Sequence, residues 1–325
     1  MSGLFGRKNS GGEKTVAIVD IENGSVGAAL VRLSSHDAPK LFGETRILLP
    51  LVSTQDVRTL AHETEKALHL ALAHISEVAS RVRTHEVLAS TGEVERVAGF
   101  FSVPWASMHL AGGGADFMPQ MSSALLDASH DILGGRPLTM HPYGAAAAHG
   151  ATVLFPQEAP TILCIVSGET AELLVIDRSA LKARATIPVG LHTLLRTLMS
   201  HGGASAAEAR SLLALTPARG HAGFAEPLAH AQSHFAREFA DVARPLLKTA
   251  PIENVLVVAP QGAEEWFARA LAQPEHDGLA DLFPEGSTVR AMRAGHAQPY
   301  LSAHAAKPDL PLMLEALFVD QKLGV

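Results

Sequence analysis

The chain has 325 residues, 47% hydrophobic and 18% charged, enough to bury the core of one large or two medium domains. A formal net charge of −7 argues against a nucleic-acid role, which needs a basic face. The single cysteine, Cys164, excludes an intrachain disulfide framework, and no run approaches the roughly 18 apolar residues of a membrane span, so a reducing, cytoplasmic setting is expected.

Residues 1–14 are Gly, Ser and charge, the composition of a disordered tail. Residues 15–21 form an apolar strand, Glu22 to Ser25 a turn, and residues 26–33 the returning strand. Residues 40–49 suit a third strand with a break at Gly43. Residues 54–82 carry a helical stripe of Leu60, Ala67, Ala71, Ile75, Val78 and Val82, with Thr54 as its cap. Strands follow at 86–91 and 94–103, parted by a turn at Gly92 and ended by Pro104 and Trp105. Gly112 to Gly114 is a flexible joint, and 116–133 a helix closed by Gly134 and Gly135. The Pro/His/Tyr segment and the Ala run at 145–148 receive no assignment; 152–155 reads as a strand or a crossing linker. Gly150, Pro156 and Pro160 punctuate the chain and mark a boundary between two lobes, residues 15–155 and 156–325.

The second half repeats the opening. Residues 161–166 are apolar on both faces, as in a buried central strand, and Ser167 and Gly168 turn the chain into a returning strand at 171–176. A third strand at 182–190 leads into a helix whose Leu191, Leu194, Leu195 and Leu198 recur at helical spacing after Gly190. Helices are expected at 204–215 and 226–248, with a loop at 217–223 between them. Then come a buried strand at 252–258, a turn at Gln261 and Gly262, a helix at 263–272, a strand at 287–292 and an apolar closing helix at 310–319. Two strand–turn–strand units point to a duplicated architecture.

With these units in place, the chain resembles the bacterial actin-like ATPase-fold proteins, nearest to the pilus-assembly (PilM-type) and cell-division (FtsA-type) members. Val19-Asp-Ile-Glu-Asn-Gly-Ser-Val26 looks like the first phosphate loop, Val166-Ser-Gly-Glu-Thr170 the second, and Ile187-Pro-Val-Gly190 the segment after it. Phe101-Ser-Val-Pro-Trp105 is similar to a strand end beside the nucleotide cleft, and Gly3-Leu-Phe-Gly-Arg-Lys8 to the tail of pilus-assembly members. The implied fold is α/β: a two-lobed actin-like ATPase fold of duplicated ribonuclease H-like domains.

The resemblance also implies an ATP and Mg²⁺ cleft. It would be formed by Asp20, Asn23, Gly24 and Ser25, by Ser167, Gly168, Glu169 and Thr170, and by Gly262, with Asp20 on the metal. Three departures weaken it. Glu22 stands where the family has Gly and puts negative charge beside phosphates; Ile165 replaces a carboxylate; Ala259-Pro-Gln-Gly262 keeps one Gly of a Gly-Gly turn, and Pro260 removes a donor. Glu172 is a variant of an acidic position. No catalytic residue is assigned.

Other clusters have plainer readings. His230 and His234 have metal-ligand spacing but no third ligand in sight, among 17 histidines. His109 before the Gly run lacks a Gly-x-Ser-x-Gly partner motif, and Ser25 and Ser167 fit turns without any nucleophilic role. Glu63 and Lys66 are a solvated pair. Asp309, Glu315 and Asp320 outnumber Lys322 in the closing helix, which is therefore expected to pack on the second lobe and not on a membrane. The leading expectation is a cytoplasmic scaffold or adaptor docking on a protein partner, the cytoplasmic tail of an inner-membrane protein. Nucleotide binding would be weak or lost, membrane association indirect, and homo-oligomers admissible. The alternatives are an FtsA-like polymerising ATPase and a small-molecule kinase of the same superfamily.

Overall fold

The computed structural model describes residues 13–51, 56–84, 92–110, 114–156, 159–214, 224–247, 252–273, 279, 282–283 and 286–323. The first half opens with strands β1 (Lys14–Ile21), β2 (Ser25–Leu33) and β3 (Lys40–Leu48), helix α1 (Val57–Arg83) and strand β4 (Val94–Phe101). A short hairpin, β5 (Ala106–Met108) and β6 (Ala115–Phe117), leads into helix α2 (Pro119–Leu133), strand β7 (Leu138–Pro142) and helix α3 (Tyr143–Leu154). The second half has strands β8 (Thr161–Val166), β9 (Ala171–Asp177) and β10 (Ala180–Ile187), then helices α4 (Leu191–Gly202), α5 (Ala206–Ala214) and α6 (Ala225–Leu247). Strand β11 (Asn254–Val258), helix α7 (Glu264–Ala272) and strand β12 (Thr288–Ala291) follow. The one-turn helix α8 (Ala294–Ala297), strand β13 (Ser302–Ala303) and helix α9 (Leu310–Leu323) end the described chain.

The two halves share one plan. Five strands run in the order β3-β2-β1-β4-β7 in the first sheet and β10-β9-β8-β11-β12 in the second. In each, the first three strands are antiparallel neighbours and the last two are added in parallel. The duplication expected from the repeated strand–turn–strand unit is therefore present. Central strand β8 is buried at every position, because both faces of its sheet are covered.

One apolar cluster lies between the sheets. It takes Val16, Ile18, Ala29 and Val31 from the first, and Leu163, Ile165, Leu174 and Ile176 from the second. Helices α3 and α9 fill this layer and pack on each other, at a point where Gly150 lies against Leu314. They are exchanged: α3, from the first half, packs on β8 and β9, whereas α9, from the far end of the chain, packs on β1, β2 and β3. Strand β13 joins the same sheet through β3.

That exchange corrects one expectation. The closing helix is buried chiefly on the first lobe's sheet and on α3, with α8 as its neighbour from the second half. Its Glu315 is wholly buried. The Ala-rich stretch is helix α3: Ala has the best helix propensity, but small and apolar residues on every side leave no amphipathic stripe. Residues 152–154 close that helix and form neither strand nor linker. Asp116 lies on β6, and α2 starts later, with Pro119 in its first turn. Helix α1 is capped by Asp56, whose carboxylate accepts from the N–H groups of Arg58 and Thr59. Thr54, the strand at 86–91, the loop at 217–223 and residues 1–12 lie outside the described residues.

Candidate functional site

The site grows from one row of residues across the first sheet. Asp20 on β1 pairs in register with Gly27 on β2, and Gly27 with Arg46 on β3. Alternation alone would put residue 46 on the face opposite residue 41. At Gly43, with φ +66°, one extra residue is inserted opposite Ala29, so Glu44 and Arg46 face α9 together with Leu41. Gly27 leaves the lane open: a Cβ there would lie 2.8 Å from Arg46 Nη2.

All five N–H donors of Arg46 find an acceptor. Nε donates to Asp309 Oδ2 at 2.5 Å; Nη1 to Glu22 Oε1 at 2.8 Å and Ser25 Oγ at 2.7 Å; Nη2 to Asp20 Oδ2 at 2.7 Å and Asp309 Oδ1 at 2.9 Å. The guanidinium fork makes a two-point contact with Asp309, as its geometry favours. Ser25 Oγ in turn donates to Glu22 Oε1 at 3.2 Å.

One cation serves four carboxyls, because Glu315 stands behind Asp20. Both are fully buried. Among the described residues neither Glu315 oxygen nor Asp20 Oδ1 has a hydrogen-bond partner, an arrangement that a proton shared by the two carboxyls would satisfy. Burial, then the charge of Asp20, raises the Glu315 carboxyl well above its ordinary range, and burial raises Asp20 as well. Burial also pushes Glu22 up to about 8 against the pull of Arg46, and Tyr143 up likewise. The cluster thus approaches neutrality by holding protons.

The second loop is tied to the first. Asn23 Nδ2 donates to Thr170 Oγ1 at 2.9 Å and to Val103 O at 2.8 Å, while Glu169 N–H donates to Asn23 Oδ1 at 2.7 Å. The two turns touch: a Cβ on Gly24 would lie 2.5 Å from Gly168 Cα. Loop carbonyls fill the N-terminus of α4, since Leu191 N–H donates to Ser167 O at 2.9 Å and His192 N–H to Gly168 O at 2.6 Å. Gly190 is required there, because a Cβ would lie 2.6 Å from both carbonyl oxygens. Ser167 Oγ closes its own turn onto Thr170 O at 3.0 Å. Burial pushes the Glu169 carboxyl up, but hydrogen bonds from His192 and Arg196 outweigh it and hold it at about 2.

Beside these loops lies a cavity of about 310 Å³ between the lobes. Gly24, Ser25, Gly168 and Gly262 line it, so three expected turns converge on one cleft. Leu48, Leu213 and Arg210 close other sides. Asp20 lies behind Arg46, and Asn23, Glu169 and Thr170 form the bridge between loops. Glu172 lies off the cleft, 3.1 Å from where a Cβ on Gly144 would be; burial raises it to about 7 against Arg184.

The arrangement does not fit a metal-bound triphosphate. Arg46 engages Asp20 and Glu22, and Ile165 is buried in the apolar layer between the sheets. The Glu169 and α4 amides are committed within the protein, and Pro260 offers no N–H. Sequence reasoning missed Arg46 and the places of Asp309, Glu315, His192 and Arg196. An Arg a few residues after a strand Gly was the only signal, and it names no partner. Of the other clusters, His109 Nε2 pairs with exposed Asp116 at 2.9 Å, His230 stacks near His201 with ring centroids 5.2 Å apart, and Glu63 pairs with Lys66 at 2.7 Å on the surface. Cys164 is buried, which raises its thiol far above the ordinary range.

Two lobes of identical strand order, with turns meeting across a cleft and two exchanged helices between them, define the actin-like fold. No family model matches the chain, and no curated protein is similar to it in sequence. Among solved structures, a PilM–PilN type IV pilus biogenesis complex matches over 95% of this chain and 98% of that one, at 11% identity and a TM-score of 0.59. The ethanolamine utilization protein EutJ from Carboxydothermus hydrogenoformans matches over 95% and 90%, at 15% identity and a TM-score of 0.48. An Aquifex aeolicus PPX-GPPA enzyme matches over 76% and 68%, at 13% identity and a TM-score of 0.39. At such identities these likenesses concern the fold alone. No described helix is long and apolar enough to cross a membrane.

Proposed function

We propose that the protein is an actin-like scaffold or adaptor whose lobes are held by its own side chains instead of a metal-bound nucleotide. The observation that carries this is Arg46. A resident guanidinium, with every donor used, stands among Asp20, Glu22 and Asp309, where the resemblance would put Mg²⁺. A fixed internal cation removes the need for a nucleotide to bring charge balance into the cleft. The Asn23 bridge between the loops supports the same reading, since it closes the lobes without a phosphate.

The likeness to a fold solved as a PilM–PilN complex supports a protein partner, which we infer to be the cytoplasmic tail of an inner-membrane protein. Calorimetric titration of the full chain with ATP and Mg²⁺ tests the proposal. No heat of binding and no phosphate release are expected; micromolar binding with steady release would overturn it. The polymerising ATPase is the second reading, favoured by the cavity that remains beside Gly24, Gly168 and Gly262. ATP-dependent pelleting that Asp20→Ala abolishes would establish it in place of the first.

A further inference from the structure

The second sheet ends in a strand that no described strand covers. Strand β12 is the last of its sheet and pairs in parallel with β11 alone. Thr288 N–H donates to Glu253 O at 2.9 Å and Met292 N–H to Val257 O at 2.8 Å, both toward the β11 side. By alternation, the N–H and C=O groups of Val289 and Ala291 point to the outer edge. Unpaired edge groups of this kind are a template for an added strand.

A groove of about 430 Å³ runs along this edge. Its floor is Val289 to Ala291. One wall is α7, with Glu265 and Arg269; the other is Phe155 with Arg293 and His296. Side chains alternate across the strand, so Arg290 faces away from the α7 side, where Val289 and Ala291 pack. Arginines therefore stand on both sides of the open edge.

The charge of the groove is opposite to that of the chain. Three arginines, Arg269, Arg290 and Arg293, face one carboxylate, Glu265, in a protein of net charge −7. Glu265 is already held by Arg293. Neither Arg269 nor Arg290 forms an ion pair with any described residue; Arg290 is exposed and Arg269 half-buried.

We propose that this groove takes an extended, acidic segment of a partner protein as an added strand on β12. Its backbone pairs with Val289 and Ala291, and its carboxylates, alternating above and below the sheet, meet Arg269 on one side and Arg290 on the other. An Arg fork suits a carboxylate at two points, and the backbone pairing fixes the register that delivers one carboxylate to each side. The proposal goes beyond the adaptor reading and holds whatever the state of the interlobe cleft, which lies elsewhere on the molecule.

The test uses the full chain and a fluorescein-labelled peptide in which pairs of adjacent glutamates alternate with pairs of valines, so that each pair puts one carboxylate on either face of the strand, followed by anisotropy. Saturable binding is expected, weakening as salt is raised and falling about tenfold in Arg269→Glu/Arg290→Glu. Amide exchange at Val289 and Ala291 should slow on binding. Arg290→Glu alone, at an exposed position, carries the test if the double variant does not fold. The proposal is overturned if the lysine-for-glutamate peptide binds equally well, if the peptide with every amide N-methylated binds as tightly, or if the charge-reversed variants bind unchanged. Inorganic phosphate that binds and shields the arginines while the peptide does not would overturn it too, by making the groove a small-anion site.

Discussion

The Arg46 guanidinium and the Asp309 carboxylate, 263 residues apart, meet at two points, 2.5 Å and 2.9 Å, and so fasten the closing helix to the first sheet. Asp309 also turns its other contacts inward, accepting from Leu312 N–H at 3.2 Å, while its own N–H donates to Glu44 at 2.9 Å. Removing Arg46 leaves three carboxyls without their cation in a buried place. Arg46→Ala is expected to cost about 3–5 kcal/mol, the usual result of breaking a buried ion pair from one side. Arg46→Lys should recover only a minor part, since an ammonium cannot replace a five-donor fork. Urea denaturation midpoints of the three proteins check this; an Arg46→Ala variant as stable as the parent would mean that the cluster does not hold the helix.

Asn23 joins two loops 146 residues apart through two hydrogen bonds, and a third ties it to Val103 O. Asn23→Ala should cost about 1–3 kcal/mol, because Glu169 N–H loses its acceptor and Val103 O its donor. Asn23→Asp keeps the acceptor but loses both donors and adds a charge. Hydrogen exchange at the Glu169 amide should quicken in Asn23→Ala and stay slow in Asn23→Asp. Unchanged protection in both would show that the bridge does not keep the lobes together.

Glu22 has a pH signature. Its folded-state value, about 8, lies above the 4.5 ordinary for a glutamate. The folded protein therefore holds this proton more tightly than the unfolded chain, and stability linked to Glu22 falls as pH rises between those values. Glu22→Gln imitates the protonated acid at every pH. Relative to the parent, the variant should gain stability steadily from mildly acidic to mildly alkaline solution, then level off. A stability difference that is flat with pH would mean that Glu22 is ionised throughout.

The contact of Gly24 with Gly168 allows no side chain. Gly24→Ala places a Cβ 2.5 Å from the Gly168 backbone, and the loops must part. A loss of about 1–3 kcal/mol is expected from such overpacking, with a larger radius of gyration by X-ray scattering if the lobes hinge open. Gly295→Ala is the control, since nothing lies within 4 Å of its Cβ position. Equal stability of both variants would mean that the two loops are not in backbone contact.

What could be read from the residues is what depends on near neighbours. The strand at 161–166, the turns at Gly24 and Gly168, the helical stripe of α1 and the break at Gly43 each follow from a few adjacent side chains and their spacing. The repeat of one strand–turn–strand unit was enough to anticipate a duplicated architecture, though not its strand order. Set beside the pattern of the family that the chain resembles, Ile165 in place of an acid and Pro260 in place of an amide are visible one residue at a time.

What replaced those groups was decided by tertiary structure. Asp20, Gly27 and Arg46 form a row only when three strands pair in register, and the bulge at Gly43 sets which face Arg46 takes. Asp309 and Glu315 look like solvent-facing charges in a linear sequence, because their partners lie more than 250 residues away and no spacing rule spans that distance. Helix α3 gave no periodic signal because its Ala, Gly and aliphatic residues lie on every side of it, and a helix without a distinct polar face has nothing to betray its turn.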